Sequence, residues 1–322
     1  MIPALAAIVA AAIVLPHALR LHRAAPVTAI ALWLSSLALR ALTGALAVIT
    51  LLFFLPRTTV FGSVSHWCLP VALPATEAEV EVEGHRLADG ALYLPGLALL
   101  ASLLYFCAST ARDARAAKQL VDRHAIGHGP RDSVILGDRS VLFAVAGLAR
   151  PRVIVSAGAL AVLDDDELTA ALDHEQGHIA RRHRFVMLVA LGLRSLGRAM
   201  PGSHAAVREL AFHLERDADR WALRRRNDRL ALASVICKSA ITEPPQSAVL
   251  AQLGTAGVTE RLAQLLDDRS TRGTRSATAA LSALATVTVT CTLLIAALVP
   301  AAAVAGAAGD AHRGHHGHHC DH

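Results

Sequence analysis

The stretch Asp164-Asp165-Asp166-Glu167-Leu168, running on to Asp173-His174-Glu175-Gln176-Gly177-His178, decides how the rest of this 322-residue chain is read. It opens as a helix. Asp164 can accept from a free N–H of the first turn, with Glu167 three residues on as the reciprocal partner. Acids in that turn also suit the positive end of the helix. Leu168, Ala171 and Leu172 carry the apolar face forward, and the pattern predicts a helix past His178, to about Gly197 ahead of Met200-Pro201-Gly202. Residues four apart share a face, so His174 and His178 stand one turn apart with Glu175 beside them.

Two imidazoles so placed can share one Zn²⁺, and the glutamate between them can take a proton from water activated there. A catalytic zinc has three protein ligands and one open position, so a third ligand is required. Ser203 is a predicted cap for a second helix, roughly His204–Arg226, which contains His213-Leu214-Glu215-Arg216-Asp217-Ala218-Asp219. Glu215 is the candidate third ligand, and Asp219, one turn on, can orient a ligand imidazole. The alternative for such a pair is a solvated charged face. His204 and His213 are candidates for stabilising a transition-state oxyanion, with surface histidine as the alternative. His183, in Arg181-Arg182-His183-Arg184, reads as part of a basic surface cluster. His124 and His128 read as loop residues, and smaller helices fill 230–268.

Upstream, Ser133–Leu136, Val141–Ala146 and Arg152–Ser156 are short β-rich runs punctuated by Gly137-Asp138 and Gly147. They predict a small sheet of about three strands. A charged helix, 112–126, leads into it.

The chain as a whole is 54% hydrophobic and 18% charged, too apolar for a wholly soluble protein and incompatible with intrinsic disorder. The apolar residues fall in blocks of about the length a bilayer requires. These are 1–19, 27–55, 90–111 and 276–309, read as four spans. Arg40 interrupts the second. Sliding that span to 36–55 brings Arg40 near the membrane face, where it can snorkel. Arg57, Arg86 and five acids give 57–89 a negative balance, whereas 112–275 holds most of the charge and is net basic. Basic flanks stay inside, so 112–275 is expected in the cytoplasm, with the 56–89 loop and both termini outside. The net charge of +5 is therefore mainly a topology signal. No nucleic-acid motif accompanies it, and no direct nucleic-acid partner is expected.

The tail, 310–322, carries His312, His315, His316, His318, His319, Cys320 and His322, a composition that binds soft or borderline metals. A disordered tail with incidental metal affinity is the alternative. Glu77, Glu79, Glu81 and Glu83 alternate with small or apolar residues, which would make one strand face acidic. The five cysteines form no CxxC pair.

His174–His178 followed by Glu215-x-x-x-Asp219, together with Arg150-Pro151-Arg152-Val153-Ile154-Val155-Ser156-Ala157-Gly158 leading into the acidic helix start, resembles membrane-bound gluzincin peptidases. Within them it is similar to the BlaR/MecR-type regulatory metallopeptidases of bacteria. The resemblance implies one catalytic Zn²⁺ held by His174, His178 and Glu215, with Glu175 as general base and Asp219 supporting a ligand. It implies an extended substrate added to the edge strand near Val141–Ala146, and as partner a cytoplasmic BlaI-type winged-helix repressor. One departure from that family is expected: the short stretch 310–322 follows the expected last span, so an extracellular penicillin-binding domain and direct β-lactam sensing are not expected here. The heat-shock/prenyl-protein membrane proteases are a rival resemblance, in which His183 fits the pattern HExxHxxxxH. The expected fold is an α-helical multi-pass membrane protein in a bacterial cytoplasmic membrane. Its cytoplasmic gluzincin domain would be mainly α, of α+β type with a small β-sheet. The expected activity is zinc-dependent endopeptidase; a non-catalytic membrane transducer sensing metal outside is the competing reading.

Overall fold

The computed structural model describes residues 13–14, 16–17, 21, 24–53, 93–147, 150–225, 228–241 and 257–266. The expected first and fourth spans (apart from residues 13–17), the acidic loop and the histidine-rich tail lie outside the described residues. Among the described residues, two helices are long and apolar enough to cross a membrane: α1 (Pro26–Phe53) and α2 (Leu94–His124). α2 takes the expected third span and the charged helix after it as one continuous rod, with Pro95 early in its first turn, where a missing N–H costs nothing. His124 is its last residue rather than a loop residue.

Four strands follow: β1 (Ala125–His128), β2 (Val134–Leu136), β3 (Phe143–Ala146) and β4 (Arg152–Ser156). They form one sheet in the order β1-β2-β4-β3. β2 and β4 run parallel, with Val134 opposite Ile154, while β1 and β3 pair antiparallel at the two edges. β1, including His128, is a strand the composition does not announce, because Ala125-Ile126-Gly127-His128 has neither apolar alternation nor length. Val153 and Val155 are buried with Ala159 and Leu172 beneath the sheet.

Helices build the remainder. Ser156 caps α3 (Ala157–Val162) by accepting from the Ala159 N–H. α4 (Asp165–Ala180) has the full capping box: Asp164 accepts from Glu167 N–H at 2.8 Å and Glu167 accepts from Asp164 N–H at 3.0 Å. Ser234 and Lys238 also bond Glu167, tying this cap to α7 (Arg229–Ile241). The expected continuous helix to Gly197 is broken. α4 ends at Ala180, Arg182 adopts a left-handed backbone (φ 54°), and α5 (His183–Leu196) starts in a new direction. Ser203 does not cap α6 (Ser203–Arg224); Gly202 holds the cap position with φ 76°, and the Ser203 hydroxyl donates to the carbonyls of Gly197 and Met200. α8 (Val258–Leu266) packs on α7 and α4 through Leu265, Leu232 and Ala170.

The largest cluster joins α1 to α5 and α6: Leu32, Trp33 and Leu37 are buried with Met187, Ala190, Val207, Leu210 and Leu214. The core that holds α5 and α6 thus extends across an apolar helix that lies outside 112–275. Gly44 permits this closeness, since a Cβ there would lie 3.0 Å from the Leu196 carbonyl oxygen. Arg40 does not snorkel. It is fully buried, donating to the carbonyls of Pro201 (3.1 Å) and Ile13 (2.8 Å), with Ser36 and His17 at its other nitrogens. The helix begins at Pro26, so Arg40 lies at its centre, where protein carbonyls replace water as acceptors.

Candidate metal centre

α4 supplies His174, Glu175 and His178, and α6, packed against it, supplies Glu215 and Asp219. The helices touch at Gly177, where an added Cβ would come within 3.0–3.1 Å of Trp221. A larger residue inside the HExxH turn would push α6, and with it Glu215, away from the two histidines.

The three ligand atoms converge. His174 Nε2 and His178 Nε2 are 3.2 Å apart; His174 Nε2 lies 3.4 Å from Glu215 Oε2, and His178 Nε2 3.5 Å from Glu215 Oε1. A tetrahedral zinc with bonds of about 2.0–2.1 Å requires neighbouring ligand atoms about 3.3–3.4 Å apart. The observed triangle has that size, and these residues form a group that could hold a metal ion. Asp219 Oδ1 lies 2.9 Å from His174 Nδ1 in an ion-pair contact, and Nε2 faces the triangle.

Arg261 completes the surroundings, and nothing in the local sequence pattern points to it. Reaching in from α8, buried, it donates to both Asp219 oxygens at 2.7 and 2.8 Å and lies 3.0 Å from Glu215 Oε2. Two carboxylates one turn apart in a buried site repel each other, and the guanidinium is the cation that offsets them.

These contacts set the protonation of the centre. Burial opposes charge on Glu215, but His178 and Arg261 outweigh it and hold its pKa at about 2. Asp219 is likewise held far below the usual carboxylate range, burial being overcome by Arg261 and the bond from His174. Burial pushes Glu175 up to about 7, although the residue is only partly buried. For His174, burial is outweighed by Asp219 and Glu215, which raise it to about 10; for His178, burial prevails and lowers it to about 3. One imidazole is thus neutral and ready to ligate, and the other must shed a proton first.

The other singled-out histidines lie elsewhere. His204 is exposed at the start of α6, eleven residues and about 16 Å along the helix from Glu215. His213 is fully buried but two residues from Glu215, hence turned to nearly the opposite side of α6, where it meets Arg216 at 3.1 Å and the Phe212 ring. Neither is brought to the triangle. His183 is not a surface residue. It is buried against His178, with 3.1 Å between their Nδ1 atoms, and its Nε2 is 3.2 Å from Asp217.

Two histidines from one helical turn and a glutamate from α6 thus form a group able to hold one metal ion, with the Glu175 carboxylate on the same helix as the histidines. Comparison with protein families narrows the class: residues 110–213 match the model of peptidase family M48, whose members are zinc-dependent. That match includes the HExxH helix and stops two residues short of Glu215, so Glu215 and Asp219 rest on geometry. It does not single out the BlaR/MecR type. Comparison with curated proteins and with solved structures gave no match.

Proposed function

We propose that the protein is a membrane-associated zinc endopeptidase acting on extended polypeptide. The observation that carries this is the 3.2–3.5 Å triangle of His174, His178 and Glu215 with Glu175 on the same helix. Zinc bound there supplies a Lewis acid that polarises the scissile carbonyl and acidifies water. Glu175 takes the proton as general base and returns it to the leaving amine. Asp219 fixes the tautomer of His174, and Arg261 holds Glu215 and Asp219 in register. β3 is a sheet edge beside α4, with Phe143 packed among α4 residues. An extended substrate added to that edge would lie along the active helix. Membrane association rests on the exposed apolar face of α2 and on the charge distribution, which favours four spans, outside termini and a cytoplasmic site.

Two substrate classes suit such a centre: a single BlaI-type repressor, and damaged membrane proteins as for the heat-shock/prenyl-type proteases. The burial of His183 against His178 favours the second, because HExxHxxxxH is then a structural unit of the centre. The test uses the full chain in lipid nanodiscs with zinc. Glu175→Gln should keep zinc bound and slow cleavage of unfolded β-casein at least about a hundredfold. Cleavage unchanged by that substitution would defeat Glu175 as the general base, and no cleavage by wild type or variant would defeat the enzymatic reading and leave a structural zinc in a signal transducer. Preference for a folded winged-helix repressor over unfolded chains would restore the first substrate reading.

A further inference from the structure

We propose that His183 and Asp217 are positioning residues for the metal ligand His178, forming a second imidazole–carboxylate support beside the His174–Asp219 pair. The inference rests on the zinc reading above and extends it to residues that reading does not use.

The backbone break after α4 makes the contact. In an uninterrupted helix, a residue five positions after His178 would point about 140° away from it. The left-handed turn at Arg182 instead brings His183 back under the ligand. The two rings meet edge-on, with centroids 4.9 Å apart and an interplanar angle of 84°. His183 and Asp217 are both buried, with 4% exposure each, so neither contact is a surface accident.

Tautomers follow by elimination. His178 presents Nε2 to Glu215 and His174, so as a neutral ligand it carries its proton on Nδ1. Its only described Nδ1 contact is His183 Nδ1 at 3.1 Å, which must accept. The proton of neutral His183 is then on Nε2, which donates to Asp217 Oδ2 at 3.2 Å. Asp217 is suited to accept it, because the Arg181 guanidinium, with Nε 3.5 Å away, favours the charged carboxylate. The chain has one polarity from carboxylate to ligand. It is the arrangement by which outer groups fix ring orientation and raise ligand basicity. His174 is supported by one carboxylate directly, and His178 by one carboxylate through an intervening ring.

The alternative is that His183 and Asp217 only stabilise the junction of α4, α5 and α6. Zinc affinity, measured by competition with a chromophoric chelator on the folded full chain in detergent, separates the two. The d–d spectrum of the Co²⁺-loaded protein provides a second readout. His183→Ala should weaken zinc binding about 10–100-fold and Asp217→Ala about tenfold, and both should alter the cobalt spectrum. His183→Asn places an amide oxygen close to the position of the lost Nδ1, and should recover much of the affinity. Wild-type affinity and spectrum in His183→Ala and Asp217→Ala, with only a lowered Tm, would overturn the proposal. If His183→Ala fails to fold, Asp217→Ala and His183→Asn against wild type decide between the two alternatives in the same way. His174→Ala is the control: should it bind zinc as wild type does, the zinc reading itself fails, whatever His183 does.

Discussion

The most apolar stretches of α1 and α2 have nearly the same hydropathy and both helices are long enough to span a bilayer, yet they stand in opposite relation to the protein. Half of the apolar window of α1 is buried inside the structure, against α5 and α6; none of that of α2 is. α1 covers Leu32, Trp33 and Leu37 and carries the buried Arg40, whereas α2 shows Leu94, Leu97, Leu100, Leu104 and Tyr105 outward. The first is part of the scaffold that holds the Glu215 helix. The second presents an apolar face that a bilayer would cover. Hydropathy measures how much a helix avoids water; it does not say whether protein or lipid replaces the water.

The sharpest attempt to break this contrast is Arg40→Leu. In α1 it strands the Pro201 and Ile13 carbonyls, and at about 1–3 kcal/mol per orphaned group it should cost about 4 kcal/mol of stability, read by denaturant unfolding in detergent. If Arg40 faced headgroups instead, the loss would be near zero. Leu37→Ala should cost about 3 kcal/mol through the cavity it leaves, and should weaken zinc binding because α6 rests on that cluster. Leu100→Arg on α2 should leave zinc affinity alone but make membrane insertion less favourable by about 2.5 kcal/mol, read by fractionation or an insertion reporter. A proton must leave His174 before it can ligate, so zinc affinity should rise up to about tenfold per pH unit through neutrality, with proton release seen as buffer-dependent binding heat. Cleavage should also rise with pH as Glu175 ionises. That limb is expected at or below pH 7, since burial holds the carboxyl up at about 7 and a nearby bound cation would lower it. The smallest effect belongs to Leu97→Ala, below about 0.5 kcal/mol on the fold.

Local signals are readable because each sits within a few residues. The Asp164–Glu167 capping box, the two histidines one turn apart and the Glu215–Asp219 spacing are all short-range patterns, and the structure shows each in that geometry. The break at Arg181-Arg182 leaves no trace in the sequence, since neither glycine nor proline marks it and arginine rarely adopts a left-handed backbone. His183 therefore reads as surface although it is buried. Arg261 escapes a sequence reading for another reason: it meets Asp219 across 42 residues of chain, and no periodicity reports such a pairing. The burial of Arg40 depends on Pro201, 161 residues away. β1 lacks any alternation to read. What stays hidden is thus the long-range closure of the fold.

The docking of α8 has a temporal side. Synthesis runs from the N-terminus, so the ribosome delivers His174, His178 and Glu215 well before Arg261. A nascent chain can therefore gather the whole ligand set while its two neighbouring carboxylates, Glu215 and Asp219, still lack their guanidinium partner. Maturation of the centre ends when the last described helix arrives, and a chain cut before α8 would hold every ligand yet stay in that unfinished, overly anionic condition.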